Sequence, residues 1–141
     1  MSQAEMTQFD STIHTTHVWL NDILEQLGWE DRHRAYQALR AVLHALRDRL
    51  PVDQAAALAA QLPMLVRGFY YEGWHPHGKP LKERHKQEFL AHVAEAFGDE
   101  PGSELERVTR AVFRVLARHV SPGEIDSVRK CLPAELRSLW C

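Results

Sequence analysis

The feature that most constrains this chain is an internal repeat at an offset of 70 residues. Residues 16–70 align with residues 86–140 without a gap. Identical pairs at this offset include Gly28/Gly98, Arg40/Arg110, Leu62/Leu132, Pro63/Pro133 and Arg67/Arg137. Biased composition would not place glycine, proline and aromatic residues at one shared offset. Since self-similarity at a fixed period marks repeated supersecondary units, the chain is predicted to contain two tandem copies of one unit.

Each copy has the sequence pattern of four helices. Trp19, Ile23 and Leu27 recur at helical spacing, as do Phe89, Val93 and Phe97 in the second copy. No alternating apolar pattern or hairpin turn signal indicates a strand. The predicted fold class is therefore all-α, with two tandem copies of a four-helix unit packed into one helical bundle.

Several residues predict where the helices begin and end. Gly28 suits the position that stops the first helix, and Asp31 can cap the second. Ser103 with Glu106 has the spacing of a capping box. Ser121 with Glu124 has the same spacing, and Pro122 would then occupy the first helical position.

The repeat also sets the expected domain boundaries. Residues 1–15 are expected to form a flexible N-terminus, 16–71 the first repeat, and 82–141 the second, with a strap of glycine, proline and aromatic residues at 72–81 between them. A unit of about 55 residues is expected to be only marginally stable alone, because small domains bury little surface, so the halves should share one core. Large aromatic residues are candidates for that core: Trp19, Trp29, Phe89 and Trp140.

Composition narrows the functional classes. The chain has 141 residues, 45% of them hydrophobic, and a net charge of −2, which fits one ordinary globular domain. Nothing in this balance favours nucleic acid, and no run approaches the roughly 18 apolar residues that span a membrane. The chain has two cysteines, Cys131 and Cys141, both near the end of the sequence, and they do not form the pattern of a disulfide framework. A reducing, cytoplasmic location is therefore expected.

The strap contains the densest cluster of candidate site residues. One interpretation is that its aromatic residues clamp the two halves together. The other is a ligand pocket with Tyr71 and Trp74 as walls and Arg67, His75 and Lys79 as polar contacts. Loops of this kind often carry function, so both interpretations remain open at this point.

Histidines are frequent, with nine in the chain. His14 and His17 are spaced to share a helix face, and His75 and His77 flank a proline in the strap. A metal site needs a convergent set of imidazole, thiolate or carboxylate ligands, and no such motif is present in the sequence. We therefore expect neither a metal nor another cofactor.

Four arginines form a stripe along one face of the sixth predicted helix. Arg107, Arg110, Arg114 and Arg118 fall on one side of it, opposite the apolar face. A solvated charged surface is one interpretation, and it agrees with the helix dipole because Glu104 and Glu106 precede the arginines. Docking of an acidic partner or of a phosphate backbone is the other.

The segments 40–50, 61–68 and 70–74 resemble the bacterial proteins catalogued as domain of unknown function 2267, as does the echo at Arg110–Phe113 and Leu132–Leu136. The resemblance covers roughly residues 12–140. It implies a small helical protein and hints at a stress-related role, but it defines no activity and no catalytic residue. No nucleophile elbow, phosphate loop or dinucleotide fingerprint is present in the sequence.

Together these patterns predict a non-catalytic helical protein, with a protein-interaction or stress-related adaptor module as the leading hypothesis. Its partner would dock between the halves or along the arginine stripe. The alternative is a small-molecule or metal-binding protein that uses the strap. A homodimer is compatible with the repeat, since duplicated helical units often expose a self-complementary face.

Overall fold

The computed structural model describes residues 7–98 and 100–140, and in this part of the chain it contains helices and no strands. The α-helices are α1 Thr7–Leu27, α2 Arg32–Arg47, α3 Val52–Ala59, α4 Met64–Tyr71, α5 Lys86–Phe97, α6 Gly102–His119, α7 Pro122–Lys130 and α8 Ala134–Arg137. A short 3-10 helix follows at Ser138–Trp140. The all-α prediction is confirmed. Of the helices in the described ranges, none has the length and apolar character needed to cross a bilayer.

The helices pack around α2 and α6, which contact each other. Helix α5 lies against α2, α1 lies against α6, and α3 contacts α7. The early and late parts of the chain therefore contribute to one apolar core. Trp19 and Phe89 are buried in that core, whereas Trp29 and Trp140 pack at its margin, stacked on Phe97 and Phe113.

Three of the four pairs of corresponding helices start 70 residues apart, the offset of the sequence repeat, whereas α1 and α5 do not. Arg32 and Gly102 begin α2 and α6, Val52 and Pro122 begin α3 and α7, and Met64 and Ala134 begin α4 and α8. This agrees in position with the aligned residues 16–70 and 86–140. The tandem duplication of a four-helix unit remains a prediction from the sequence.

Most of the expected helix ends are confirmed. Gly28 follows α1 with a φ of 69°, a left-handed conformation that glycine adopts without strain. The Asp31 carboxylate accepts hydrogen bonds from the backbone N–H groups of His33 and Arg34 at the start of α2. Ser121 Oγ accepts from the Glu124 N–H at the start of α7, with Pro122 in the first position.

The capping box predicted at Ser103 and Glu106 is wrong. Helix α6 begins two residues earlier than this motif implies, at Gly102, and Pro101 occupies the N-cap position. The Pro101 carbonyl accepts hydrogen bonds from the Glu104 and Leu105 N–H groups, so Ser103 lies inside the first turn. Glu106 instead pairs with Lys86 and Arg110.

Helix α1 begins at Thr7, before the boundary at residue 16 that the repeat indicated. Residues 7–15 are thus helical where a flexible terminus was expected, while residues 1–6 lie outside the described part of the chain. Tertiary contact accounts for the extension, because α1 packs on α4 and the buried Thr12 hydroxyl accepts a hydrogen bond from the Leu65 N–H.

The C-terminal end of α2 holds the start of the strap. The Arg47 side chain is only 4% exposed, and its Nη1 donates to the carbonyls of Tyr70 at 2.5 Å and Glu72 at 2.6 Å. One turn earlier, His44 Nε2 lies 2.6 Å from the Phe69 carbonyl. These groups satisfy the last carbonyls of α4, which have no partner within their own helix.

The same end of α2 holds the far end of the strap. The Asp48 carbonyl accepts from the Leu81 N–H at 2.8 Å, and Arg49 Nη2 donates to Glu83 Oε1 at 3.2 Å. Three consecutive residues, Arg47, Asp48 and Arg49, therefore fix both ends of the segment that joins α4 to α5. This anchoring places residues 80–84 beside the start of α8.

Substitution of Asp31 by alanine tests the assignment of the helix ends. We expect it to lower the free energy of unfolding by about 1 kcal/mol, because two N–H groups at the start of α2 lose their acceptor. Ser103→Ala is the matched control and should change stability by less than about 0.5 kcal/mol. Urea denaturation measures both variants. An equal loss in the two would contradict the position of Ser103 inside α6.

Substitution of Arg47 by methionine tests the anchoring of the strap. We expect a loss of about 3 kcal/mol, since buried hydrogen bonds from a charged group contribute roughly 1.5–3 kcal/mol each and the two carbonyls would lose their donor. Arg40→Met serves as the control, because Arg40 contacts the strap through a partly exposed ion pair with Glu72. That change should cost less than about 1 kcal/mol. Comparable losses in denaturation experiments would show that Arg47 has no special part in holding the strap.

Candidate functional site

A groove of about 600 Å³ opens between the end of the strap and the start of α8. We call it the basic groove because its lining carries four cationic side chains and one carboxylate. The lining residues are Arg49, Pro80, Leu81, Lys82, Glu83, Arg84, Cys131, Leu132, Pro133, Ala134 and Arg137.

Arg49 provides a buried charge in the wall of this groove. Its side chain is 1% exposed, and the guanidinium lies 5.0 Å from the centre of the Phe89 ring. Nη1 donates to the Ala45 carbonyl and Nη2 to Glu83, while Nε has no hydrogen-bond partner. Burial lowers the pKa of Arg49 and the Glu83 carboxylate opposes that shift, yet a guanidinium stays protonated at neutral pH.

The other cations of the groove are more accessible. Lys82 and Arg84 are exposed, and neither forms an ion pair or hydrogen bond with another described residue. Arg137 is also exposed and donates through Nη1 to the Leu132 carbonyl at 3.0 Å. Glu83 is already engaged by Arg49 and lies 3.1 Å from His92 Nε2. The groove therefore offers free cationic donors beside a carboxylate that has its own partners.

His85 and Glu135 link the two walls of the basic groove. His85 follows the wall formed by residues 80–84, and Glu135 follows the wall formed by residues 131–134. His85 Nδ1 lies 2.9 Å from Glu135 Oε2, and the Lys86 N–H donates to Glu135 Oε1 at 3.0 Å. The hydrogen bond raises the pKa of His85 and lowers the pKa of Glu135.

A second groove has a volume of about 660 Å³, and we call it the α1 groove. Seven of its lining residues lie 70 positions from residues that line the basic groove. Gln61, Leu62, Pro63 and Met64 correspond to Cys131, Leu132, Pro133 and Ala134. His119 stacks on Trp19 at 4.8 Å, in the positions where Arg49 lies over Phe89. The remaining lining residues are Thr7, Gln8, Ser11, Thr12 and Thr15.

Polar groups of the α1 groove are largely engaged within the protein. Gln61 forms two hydrogen bonds with Ser121, one through each atom of its amide. Thr15 Oγ1 donates to the Ser11 carbonyl, and Thr12 Oγ1 accepts from Leu65. Its one histidine, His119, has Nε2 2.6 Å from Asp22 Oδ2. The two grooves are thus alike in position and different in charge.

The strap residues that the sequence singled out do not converge on one cavity. Arg67 donates to the carbonyls of Ala59, Ala60 and Leu62 at the end of α3. Tyr71 and Trp74 pack together with ring centres 5.4 Å apart, and both are half-buried. His75 and His77 are exposed, Lys79 is half-buried, and these three residues line neither of the two grooves.

Most of the arginine stripe is engaged in local pairing. Arg107 pairs with Glu104 and donates to the Leu27 carbonyl, and Arg110 pairs with Glu106 and donates to the Ser138 carbonyl. Arg118 lies 3.7 Å from Asp22. Arg114 is exposed and has no partner among the described residues.

The histidines and acids of the described ranges form no group of three or more metal ligands. His14 and His17 lie on α1, away from the exposed pair His75 and His77 in the strap. No residue is therefore assigned to a metal.

Sequence reasoning did not select the residues that line the basic groove. The available signal was the run Lys82-Glu-Arg-His-Lys86 directly after the strap. Arg49 carried a second signal, because this charged residue lies between two core residues of helical spacing, Leu46 and Leu50, just after the end of α2. Its pairing with Glu83 spans 34 residues and is not visible in local patterns.

Substitution of Glu135 by glutamine tests the hydrogen bond that links the two walls of the basic groove. We expect Glu135→Gln to lower the pKa of His85 toward its ordinary value of 6.5, because the charged hydrogen-bond acceptor is lost. The stabilisation from His85 is present at low pH and disappears as the pH rises through the raised pKa. That from Glu135 disappears as the pH falls through the lowered pKa, so the link is strongest between the two titrations. NMR titration of His85 measures the shift; an unchanged pKa would contradict the pairing.

The comparisons with known proteins give a family and no activity. Residues 16–139 match the model of the family described as "Uncharacterized conserved protein (DUF2267)". No curated protein shows significant similarity to the chain. The match covers nearly all of the described helices, and the chain belongs to the DUF2267 family.

Proposed function

We propose that this protein is a non-catalytic binding protein that holds a small organic anion in the basic groove. The observation that carries the proposal is the excess of four cationic side chains over one carboxylate in the lining. This develops the small-molecule alternative from the sequence, with the site at the C-terminal end of the strap rather than at Trp74, His75 and His77.

Free donors support anion binding. Lys82 and Arg84 have no partner among the described residues, so an anion would not have to displace an existing ion pair to reach them. Hydrogen bonds between ionised groups are stronger than neutral ones, and arginine can engage a carboxylate through two parallel N–H groups.

Arg49 supports the same ligand class from the wall. Its Nε is buried without a hydrogen-bond partner, and its one carboxylate partner, Glu83, also faces His92. A charge with low-dielectric surroundings acts over a longer distance than an exposed one, because water screens it less. The combined field favours ligands with more than one negative charge, such as di- and tricarboxylates.

The side chains of the groove support binding rather than turnover. Cys131 is its nucleophilic residue, and it has no hydrogen-bonded base among the described residues. Burial and the Glu124 carboxylate raise the pKa of its thiol, which favours the unreactive protonated form.

The adaptor hypothesis has less support from the geometry. Docking of an acidic partner would need free cations along Arg107, Arg110, Arg114 and Arg118, and three of these four have acidic or carbonyl partners. A stress-related role and a homodimer remain predictions.

Citrate binding tests the proposal. We expect citrate to bind the full-length protein in isothermal titration calorimetry, with an affinity that falls as the salt concentration rises. Arg84→Glu should weaken binding about tenfold, because it removes one charge-assisted hydrogen bond and adds a repulsive charge.

Arg114→Glu is the matched control. Both arginines are exposed, both lack partners among the described residues, and both substitutions change the net charge equally. Citrate affinity should stay within twofold of the unmodified protein in this variant, an estimate for a charge outside the groove. No binding of citrate, or equal losses in the two variants, would contradict an anion site in the basic groove.

A further inference from the structure

We infer that Cys131 is a thiol-exchange site, which forms mixed disulfides with small disulfides that carry carboxylates and are concentrated in the basic groove. The inference rests on the proposed function, because the groove must first attract the anionic reagent. It adds a covalent modification site and a class of reactant to that binding activity.

The position of the thiol carries the inference. Cys131 is exposed and free, and it lines the same groove as Arg49, Lys82, Arg84 and Arg137. A carboxylate bound by these cations would bring the rest of a small molecule to the thiol. The buried Arg49 guanidinium, which is held by Ala45 and Glu83, adds a further positive charge to the wall of this groove.

The corresponding position of the α1 groove shows how Cys131 differs. Gln61 occupies that position, and both atoms of its amide are hydrogen-bonded to Ser121. The thiol of Cys131 has no hydrogen-bond partner among the described residues, so no contact of its sulfur has to break before it reacts.

The chemistry is ordinary disulfide exchange. The Cys131 thiol loses its proton to solvent, and the thiolate attacks one sulfur of the small disulfide. A new bond forms between Cys131 Sγ and that sulfur, the original S–S bond breaks, and the second sulfur leaves as a thiolate. Cys131 is oxidised and the leaving sulfur is reduced, so the disulfide itself is the oxidant.

Selectivity for anionic reagents follows from the groove's charge. Burial and Glu124 raise the pKa of Cys131, so few molecules carry a thiolate at neutral pH and a neutral reagent should react slowly. A cluster of positive charges raises the local concentration of an anionic reagent and thereby its rate. The expected signature is a preference for anionic over neutral disulfides.

Two chromogenic disulfides test this preference. We would compare dianionic 5,5′-dithiobis(2-nitrobenzoate) with neutral 4,4′-dithiodipyridine in a Cys141→Ser background, where Cys131 is the one remaining cysteine. The ratio of the two rate constants cancels differences in the exposure and pKa of the thiol. We expect Arg84→Glu to lower this ratio about tenfold and high salt to lower it also.

Arg114→Glu again provides the matched control and should leave the ratio unchanged. Citrate should slow the anionic reagent and spare the neutral one. With glutathione disulfide as the probe, mass spectrometry should find one glutathionyl group on the peptide that contains Cys131. A ratio that Arg84→Glu leaves unchanged would overturn the inference.

Citrate binding measured on the same Cys141→Ser protein separates the two proposals. If citrate binds and the rate ratio does not respond to Arg84→Glu, the thiol-exchange inference fails while the anion site stands. If citrate does not bind, the proposed function itself fails.

Discussion

The candidate site depends on the hydrogen bonds made by the end of α2. Arg47 holds the Tyr70 and Glu72 carbonyls at the start of the strap, and the Asp48 carbonyl holds the Leu81 N–H at its end. The strap has few regular hydrogen bonds of its own, so these contacts determine its path. The path in turn decides which residues face the start of α8, and it places the exposed side chains of Lys82 and Arg84 at the wall of the basic groove.

The two grooves show how one architecture can present different surface chemistry. In the α1 groove, the N-terminal part of α1 provides hydroxyl groups, and most of these form hydrogen bonds within the protein. In the basic groove, residues 82–84, which directly follow the anchored strap, provide lysine and arginine at the corresponding place. His119 over Trp19 and Arg49 over Phe89 keep the same stacking relation with different charge. The proposed anion site thus arises from a change of side chains, with a similar arrangement of helices around it.

Local patterns in the sequence predicted the helices better than the site. The all-α class, the stop at Gly28 and the caps at Asp31 and Ser121 depend on neighbouring residues, and they are present in the structure. The cap at Ser103 was wrong because Pro101 starts the helix earlier than the motif suggested. The basic groove joins residues 49, 80–84 and 131–137, and such distant combinations leave no periodic signal. The run from Lys82 to Lys86 indicated charge but not where that charge would lie.

An NMR titration with citrate, followed through the backbone amides, tests the central claim most directly. The account predicts that shifts concentrate at Leu81–Arg84 and at Cys131, Leu132 and Ala134, while the amides of Gln61, Leu62 and Met64 stay unmoved. Shifts that follow the Arg107–Arg118 face, or that affect both grooves equally, would contradict an anion site created by the anchored strap.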